Sequence, residues 1–106
     1  MADLAFKGFD WNEGNGTKNL AKHGVSKKVI EAFFANSPTT SQDPKHSQKE
    51  QRYLAVGLSS GGRWMLVSYT LRTKAGVRLV RPISARYMHA REVKDYEKAD
   101  QEQSQD

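Results

Sequence analysis

The sequence predicts an α+β domain in which an antiparallel β-meander packs against two N-terminal helices and one C-terminal helix. In the first third of the chain, apolar residues recur at three- and four-residue spacing, which is typical of helices. From Arg52 to Ser84 they alternate instead, and glycine-containing turns divide this stretch into three strands. With 106 residues the chain has room for one domain. We expect that domain to span residues 1–98, followed by a polar, frayed tail at 99–106.

The first half of the chain predicts one short strand and two helices. Leu4–Phe9 is apolar enough for an opening strand, and a first helix is expected over Asn12–His23. Gly24 would end that helix in the left-handed conformation that glycine adopts without penalty. Ser26 is a preferred N-cap for the second helix, which Asn36-Ser37-Pro38 would end. The inward face of the second helix would carry Val29, Ile30, Phe33 and Phe34.

The second half of the chain predicts a long loop followed by the meander. Residues 39–51 are polar and contain an Asp-Pro pair, so a loop is expected there. The strands Arg52–Leu58 and Arg63–Leu71 flank the turn Ser59–Gly62, and Val77–Ser84 forms the third strand.

Proline in the third strand limits how that strand can pair. Pro82 cannot donate to a ladder, so the strand is a sheet edge, contains a bulge, or ends near Arg81. The second turn is expected at Thr73–Gly76. A final helix covers roughly Ala90–Ala99. Its inward residues would be Val93 and Tyr96.

Positive charge is concentrated in the second half of the chain. The chain has 17 Lys and Arg against 12 Asp and Glu, a formal charge of +5. Every arginine lies at or after Arg52, and no acidic residue occurs between Arg52 and Arg91. A field of that sign attracts polyanions, and the planar guanidinium group matches phosphate oxygens. A surface that is only solubilising would mix both signs, so the pattern favours a nucleic-acid ligand.

Several classes of protein are excluded or disfavoured by composition. Cysteine is absent, which excludes disulfide frameworks, thiol nucleophiles and iron–sulfur ligation. No apolar run approaches the roughly 20 residues that a membrane helix needs, and the N-terminus has no signal-peptide pattern. Asp43, His46 and Glu50 share one loop, but nothing fixes their spacing, so a solvated loop is preferred over a metal site. We therefore expect a soluble, cytoplasmic protein without cofactor, metal or membrane contact.

The segment Val80–His89 carries the side chains best suited to chemistry. It places two arginines, a tyrosine and an imidazole where the last strand passes into the final helix. RNA cleavage by the 2′-hydroxyl group needs a base, cations for the phosphate charge and an acid for the leaving oxygen. An imidazole can serve as acid or base near neutral pH, and the reaction requires no metal.

Each of these residues also has a structural interpretation that the sequence leaves open. His89 either transfers protons or caps the final helix, with Glu92 as capping-box partner. Arg81 and Arg86 either bind phosphate or pair with nearby acids, Glu92 or Asp95. His23 is either a base or a cation that favours a helix C-terminus. The aromatic residues Tyr53, Trp64, Tyr69 and Tyr87 either stack on bases or fill the core, with Trp64 the preferred core residue.

Short blocks of the sequence occur in the same order as in a known protein family. They are Asp10-Trp11-Asn12, Asn19–Ser26, Glu50–Tyr53 with Gly57, Ile83–Arg86 and Tyr96-Glu97. Over Phe9–Glu97 they resemble the BrnT toxins, which are the ribonuclease components of type II toxin–antitoxin pairs. The resemblance implies a RelE-like fold and metal-independent RNA cleavage that inhibits translation. It also implies a hetero-oligomer with a ribbon–helix–helix antitoxin, BrnA, through which alone promoter DNA is bound.

The resemblance and the acid-free segment together indicate the site residues. Arg81 and Arg86 would hold the scissile phosphate on one surface, with help from Arg52. Proton transfer would fall to His89, Glu50 or Tyr96. The wider RNA-binding surface would comprise Arg63, Arg78, Tyr87, Arg91, Lys22 and His23. Two alternatives stay open: a basic module that binds RNA or DNA without cleaving it, and a degenerate toxin that only binds its partner protein.

Overall fold

The computed structural model describes residues 6–12, 24–46 and 48–103, with backbone alone over 99–103. Two α-helices and four strands form within these ranges. In chain order the elements are α1 (Lys27–Ala35), β1 (Thr39–Gln42), a 3-10 helix (Pro44–His46), β2 (Arg52–Leu58), β3 (Trp64–Lys74), β4 (Val77–Tyr87) and α2 (Ala90–Gln103). The α+β class and the antiparallel meander are confirmed. Two helices stand where three were predicted, because most of the predicted helix over Asn12–His23 lies outside the described residues.

The four strands form one antiparallel sheet in the order β1-β2-β3-β4. Strand β1 pairs with β2 from Thr39 opposite Val56 to Gln42 opposite Tyr53. The prediction of a continuous loop over 39–51 is therefore wrong at its beginning. All four residues of β1 are exposed, so the strand is held by backbone pairing with β2.

The two hairpins of the meander differ in their turns. Ser59 closes the first turn, because its N–H donates to the Arg63 carbonyl oxygen at 2.8 Å. The second turn is shorter than Thr73–Gly76: the strands run to Lys74 and resume at Val77. Its two residues both have positive φ, 52° at Ala75 and 77° at Gly76. Such a two-residue turn matches the twist of paired strands, which explains the longer strands.

Strand β4 contains a β-bulge beside Pro82. Tyr69 lies opposite Pro82, whereas Ser68 lies opposite Ser84, so Ile83 is the extra residue in β4. The bulge on an outer strand of the sheet accommodates the proline, which has no N–H to donate. Two of the three alternatives for Pro82, an edge strand and a bulge, are both observed.

Helix α1 packs on one face of the sheet and forms the core with it. Ser26 caps the helix as predicted, with its Oγ accepting from the Val29 N–H at 3.3 Å. Ile30 and Phe33 are fully buried, and the Phe34 ring meets the Tyr69 ring edge-on at 5.2 Å between centroids. Tyr69, rather than Trp64, is the aromatic residue of the meander that fills the core.

The segment before α1 runs parallel to the outer edge of β4. The Lys7 N–H donates to the Arg78 carbonyl oxygen at 2.9 Å, and the Asp10 N–H donates to that of Val80 at 2.8 Å. Between them the Val80 N–H donates to the Gly8 carbonyl oxygen at 2.9 Å. Over its described residues the predicted opening strand is not formed: Lys7 and Gly8 lie in a bend, and a single parallel bridge joins Phe9 to Val80. The segment brings the Asp10 side chain to the middle of β4.

Helix α2 is longer than predicted. It runs to Gln103, whereas the sequence predicted an end at Ala99 and a frayed tail beyond it. The Glu92 side chain accepts from the His89 N–H at 2.9 Å, which is the capping-box contact at the start of α2. Across the described part of the chain, no helix combines the length and apolar character needed to cross a membrane.

Candidate functional site

Four arginines share the sheet face opposite α1. In the register, Arg52 and Arg81 both lie opposite Thr70, and Arg86 lies opposite Leu66. Arg72 also belongs to this face. Leu71, the residue before it in β3, packs against the core on the α1 side, and successive side chains of a strand point to opposite faces. We call this surface, defined by Arg52, Arg72, Arg81 and Arg86, the arginine face. Most of the basic residues of the meander are thereby collected on one side of the sheet.

The bulge in β4 is what places Arg81 and Arg86 on the same face. In a regular strand, two residues five positions apart point to opposite faces. The extra residue Ile83 reverses the alternation between them, so both side chains leave the sheet on the arginine face. The two arginines thus share a sheet face, and their predicted joint binding of one phosphate stays a prediction. Along the strand they stand four paired positions apart, about 13 Å between Cα atoms at the usual rise.

Arg52 and Arg81 flank the buried residue Thr70. They lie on the two strands next to β3, so their Cα atoms are roughly 10 Å apart at the usual spacing between strands. The Thr70 side chain is buried, and its Oγ1 donates to the Gln51 carbonyl oxygen at 2.9 Å. This bond fixes the start of β2 against β3. Two guanidinium groups are thus carried by fixed backbone on either side of a small side chain.

Arg81 is held from its other side by Asp10. Its Nη1 lies 3.3 Å from Asp10 Oδ2, and Lys74 Nζ lies 2.9 Å from the other oxygen of the same buried carboxylate. The hydrogen bond from Lys74 is the main cause that lowers the pKa of Asp10, with Arg81 adding to it against the effect of burial. The Asp10 contact uses one of the five N–H donors of Arg81. The guanidinium group is therefore oriented by Asp10 and can still bind a phosphate.

Arg86 makes the ion pair that the sequence left as an alternative. Its Nη1 and Nη2 donate to the two carboxylate oxygens of Glu92 at 2.8 and 2.7 Å. This bidentate contact, with the His89 N–H, lowers the pKa of Glu92 to about 2. The same contact raises the pKa of Arg86. Arg86 therefore ties β4 to the first turn of α2, and Glu92 neutralises much of the charge that it could offer to a phosphate.

His89 and Tyr96 lie at the α2 end of the arginine face. The His89 backbone caps α2: its N–H donates to Glu92, and its carbonyl oxygen accepts from the Val93 N–H at 3.0 Å. The Tyr96 ring packs on the Trp64 ring at 5.4 Å between centroids. Trp64 is six residues from Thr70 along β3, about 20 Å at the usual rise. The structure does not bring His89 or Tyr96 to Arg52 and Arg81.

The residues predicted to extend the RNA-binding surface are dispersed. Arg63 Cζ lies 3.9 Å from the centroid of the Tyr87 ring, so a cation already covers one face of that ring. Arg78 and Arg91 are exposed, the former beside the turn that joins β3 to β4 and the latter in the first turn of α2. Lys22 and His23 lie outside the described residues.

A cleft of about 390 Å³ opens at the start of β2, next to Arg52. Glu50 lies in this cleft, and its Oε1 accepts from Arg72 Nη2 at 3.1 Å. Of the predicted site residues, Glu50 and Arg52 share this cleft, and Arg81 lies across Thr70 from Arg52 on the same sheet face. The cleft is lined by Lys45, His46, Gln48, Lys49, Glu50 and Arg52.

The sequence interpretation missed the basic residues of this cleft. Lys45, His46 and Lys49 fall in the segment that was assigned to a solvated loop. Asp43 and His46 are three residues apart around Pro44, and side chains at that spacing eclipse each other on a 3-10 helix. The Asp-Pro pair was the available signal, because it favours the turn that brings Asp43 and His46 together. Over the described ranges, no group of three His, Cys, Asp or Glu side chains is arranged to hold a metal ion.

Comparison with known proteins identifies the family. The family model for the ribonuclease toxin BrnT of type II toxin–antitoxin systems matches residues 11–92. The matched range contains Arg52, Arg81 and Arg86 together with the whole lining of the cleft. A search of curated proteins finds no match to the chain. Because the family match covers more than half of the sequence, the chain belongs to the BrnT family of ribonuclease toxins from type II toxin–antitoxin systems.

Proposed function

We propose that this toxin is a metal-independent endoribonuclease that cleaves RNA where Arg52 and Arg81 flank Thr70. The observation that supports this location is the arrangement of two guanidinium groups on one sheet face with a carboxylate, Glu50, in the adjoining cleft. A phosphodiester lying over Thr70 would meet a cation on each side. Its sugar would then extend toward the cleft and Glu50.

The proposed reaction is attack by the 2′-oxygen on the neighbouring phosphorus. Glu50 accepts the proton of the 2′-hydroxyl group as the bond from the 2′-oxygen to phosphorus forms. The bond from phosphorus to the 5′-oxygen breaks, and that oxygen takes a proton. The products are a 2′,3′-cyclic phosphate and a 5′-hydroxyl group. Arg52 and Arg81 stabilise the additional negative charge on the phosphate oxygens, the role for which a metal would otherwise be needed.

The other arginines of the predicted site have a supporting role in this proposal. Arg86 positions α2 by its pair with Glu92, and Arg63, Arg78 and Arg91 add to the positive field that attracts RNA.

Within the cell, cleavage of RNA would inhibit translation, and a ribbon–helix–helix antitoxin of the BrnA type would neutralise the toxin. Family membership supports a protein antitoxin as partner.

The first test is cleavage of RNA by the purified toxin in the presence of EDTA. We expect products that end in a 2′,3′-cyclic phosphate, and none from an oligonucleotide whose sugars lack the 2′-hydroxyl group. Arg81→Ala should reduce the rate by about 10²–10³-fold, the usual cost of removing one charge-stabilising donor. Lys28→Ala, which removes an exposed cation from α1 on the other side of the sheet, should cleave like the wild type.

Three outcomes would count against the proposal. Cleavage that is unchanged by Arg81→Ala would move the reaction away from Thr70. Salt-dependent binding of RNA without any scission would instead support the alternative of a non-catalytic basic module. Binding of the antitoxin with negligible affinity for RNA would support the degenerate toxin.

A further inference from the structure

We propose that His46 is the general acid of the cleavage reaction and that Asp43 positions it. This inference rests on the proposed function, since it assigns the proton donor for the leaving 5′-oxygen at the same site. It gives a catalytic role to a side chain that the sequence placed in a solvated loop. His89 and Tyr96 lie too far from Arg52 and Arg81 to donate this proton, and His46 takes their place.

Asp43 and His46 form a carboxylate–imidazole pair. His46 Nδ1 lies 2.8 Å from Asp43 Oδ2. A carboxylate only accepts hydrogen bonds, so Nδ1 carries the proton of this bond and Nε2 is the nitrogen that can exchange protons with a substrate. The Asp43 side chain is only 11% exposed, whereas the His46 side chain is 60% exposed. The carboxylate is therefore a fixed anchor, and the imidazole is open to solvent in the cleft.

Backbone hydrogen bonds hold this pair next to the arginine face. The Asp43 N–H donates to the Arg52 carbonyl oxygen at 2.8 Å, which joins the 3-10 helix to the first residue of β2. The His46 N–H donates to the Asp43 carbonyl oxygen at 3.2 Å and closes the 3-10 turn. The imidazole thus reaches the same cleft as Glu50 and Arg52 from a short, fixed segment.

The proton donor must be a group other than Glu50. At neutral pH a glutamate carboxylate accepts a proton but has none to give, so Glu50 fits the base and the leaving oxygen needs another donor. Asp43 is hydrogen-bonded to His46, and the other charged groups that line the same cleft are Lys45, Lys49, Glu50 and Arg52. Asp43 orients the imidazole by its hydrogen bond to Nδ1, and Lys45, Lys49 and Arg52 favour binding of the RNA backbone in the cleft.

Protons balance when both residues act in one turnover. The imidazolium gives its Nε2 proton to the 5′-oxygen as the bond to phosphorus breaks, and His46 is left neutral. Glu50 holds the proton taken from the 2′-hydroxyl group. Exchange with water returns that proton to the imidazole and restores both groups.

The test compares two RNA substrates of the same sequence. One has a natural linkage, and the other has sulfur in place of the 5′-bridging oxygen at the cleavage site. A thiolate is a much weaker base than an alkoxide, so it leaves without needing a proton. His46→Ala should cleave the natural linkage at least about 100-fold more slowly than the wild type, in line with the loss of general acid catalysis. On the sulfur substrate the same variant should cleave close to the wild-type rate.

Asp43→Asn tests the positioning role. We expect a smaller loss on the natural linkage, a displaced limb in the profile of rate against pH, and recovery on the sulfur substrate. Thermal unfolding of each variant and its affinity for a 2′-deoxy oligonucleotide separate these effects from damage to the fold or to binding. Lys28→Ala is the control for a distant substitution.

The outcomes separate this inference from the proposed function. A wild type that cleaves neither substrate overturns the proposed function and, with it, the assignment of His46. A wild type that cleaves the natural linkage while His46→Ala matches it overturns only the assignment of His46. An equal loss by His46→Ala on both substrates does the same, because it indicates a role that does not involve the leaving group.

Discussion

Replacing Glu50 with glutamine is expected to reduce RNA cleavage by about 10²–10⁴-fold, the range for loss of a general base. Glutamine keeps the size of the side chain and one oxygen, but it cannot take the proton of the 2′-hydroxyl group. The ion pair with Arg72 at 3.1 Å is exposed, so losing it should cost only about 0–1 kcal/mol of folding free energy. RNA affinity should stay close to wild type or rise, because a negative charge is removed. Single-turnover rates and binding of a 2′-deoxy oligonucleotide measure the two quantities separately.

Glu31→Gln is the matched control for this substitution. Glu31 is an exposed glutamate on α1, and its Oε2 accepts from Trp11 Nε1 at 3.0 Å. Glutamine preserves an accepting oxygen there and makes the same change in net charge. We expect Glu31→Gln to cleave RNA at the wild-type rate. If both variants cleaved at that rate, Glu50 would not be the base.

Phe33→Ala is expected to be the most destabilising single substitution in α1, at about 3–5 kcal/mol. Phe33 is fully buried and meets the Phe34 ring edge-on at 5.4 Å between centroids. It also lies under Gly57, where an added Cβ would come within 3.4 Å of its ring and 3.1 Å of Pro38. Truncation leaves a cavity between α1 and the sheet that neighbouring residues fill only in part. A small domain has about 5–15 kcal/mol of stability, so this loss is a large fraction of the total.

Urea denaturation measures this effect directly. The midpoint of Phe33→Ala should fall steeply, with a similar slope against denaturant. Lys28→Ala on the exposed side of the same helix should stay within about 0.5 kcal/mol of the wild type. A loss of less than about 1 kcal/mol for Phe33→Ala would mean that α1 does not form the core with the sheet.

The parts of the fold that were predicted correctly are those with a local signal. Ser26 and the apolar spacing after it define α1, and the Ser59–Gly62 turn defines the first hairpin. Strand β1 was missed because Thr39–Gln42 is polar and fully exposed, so nothing in its own pattern distinguishes it from a loop. Its stability comes from pairing with β2, which is a tertiary contact. Helix α2 extends beyond its predicted end because the polar composition after Ala99 does not by itself end a helix.

The candidate site depended on contacts between distant parts of the chain. Arg81 is oriented by Asp10, which is 71 residues away and reaches it only because the N-terminal segment pairs with β4. The shared face of Arg81 and Arg86 depends on a bulge at Ile83, for which Pro82 was the available signal. His46 was set aside because spacing alone does not fix the geometry of a loop. The bond from Asp43 to the Arg52 carbonyl oxygen supplies that geometry in the folded chain.

RNA is expected to bind the arginine face and not the α1 face. The most direct measurement is NMR titration of the toxin with a 2′-deoxy oligonucleotide, which can bind but cannot be cleaved. We predict that amide shifts concentrate at Arg52, Thr70 and Arg81 and along the cleft at His46. The amide chemical shifts of α1 should not change. Shifts that concentrate on α1, with Arg52 and Arg81 unaffected, would show that RNA does not bind the arginine face.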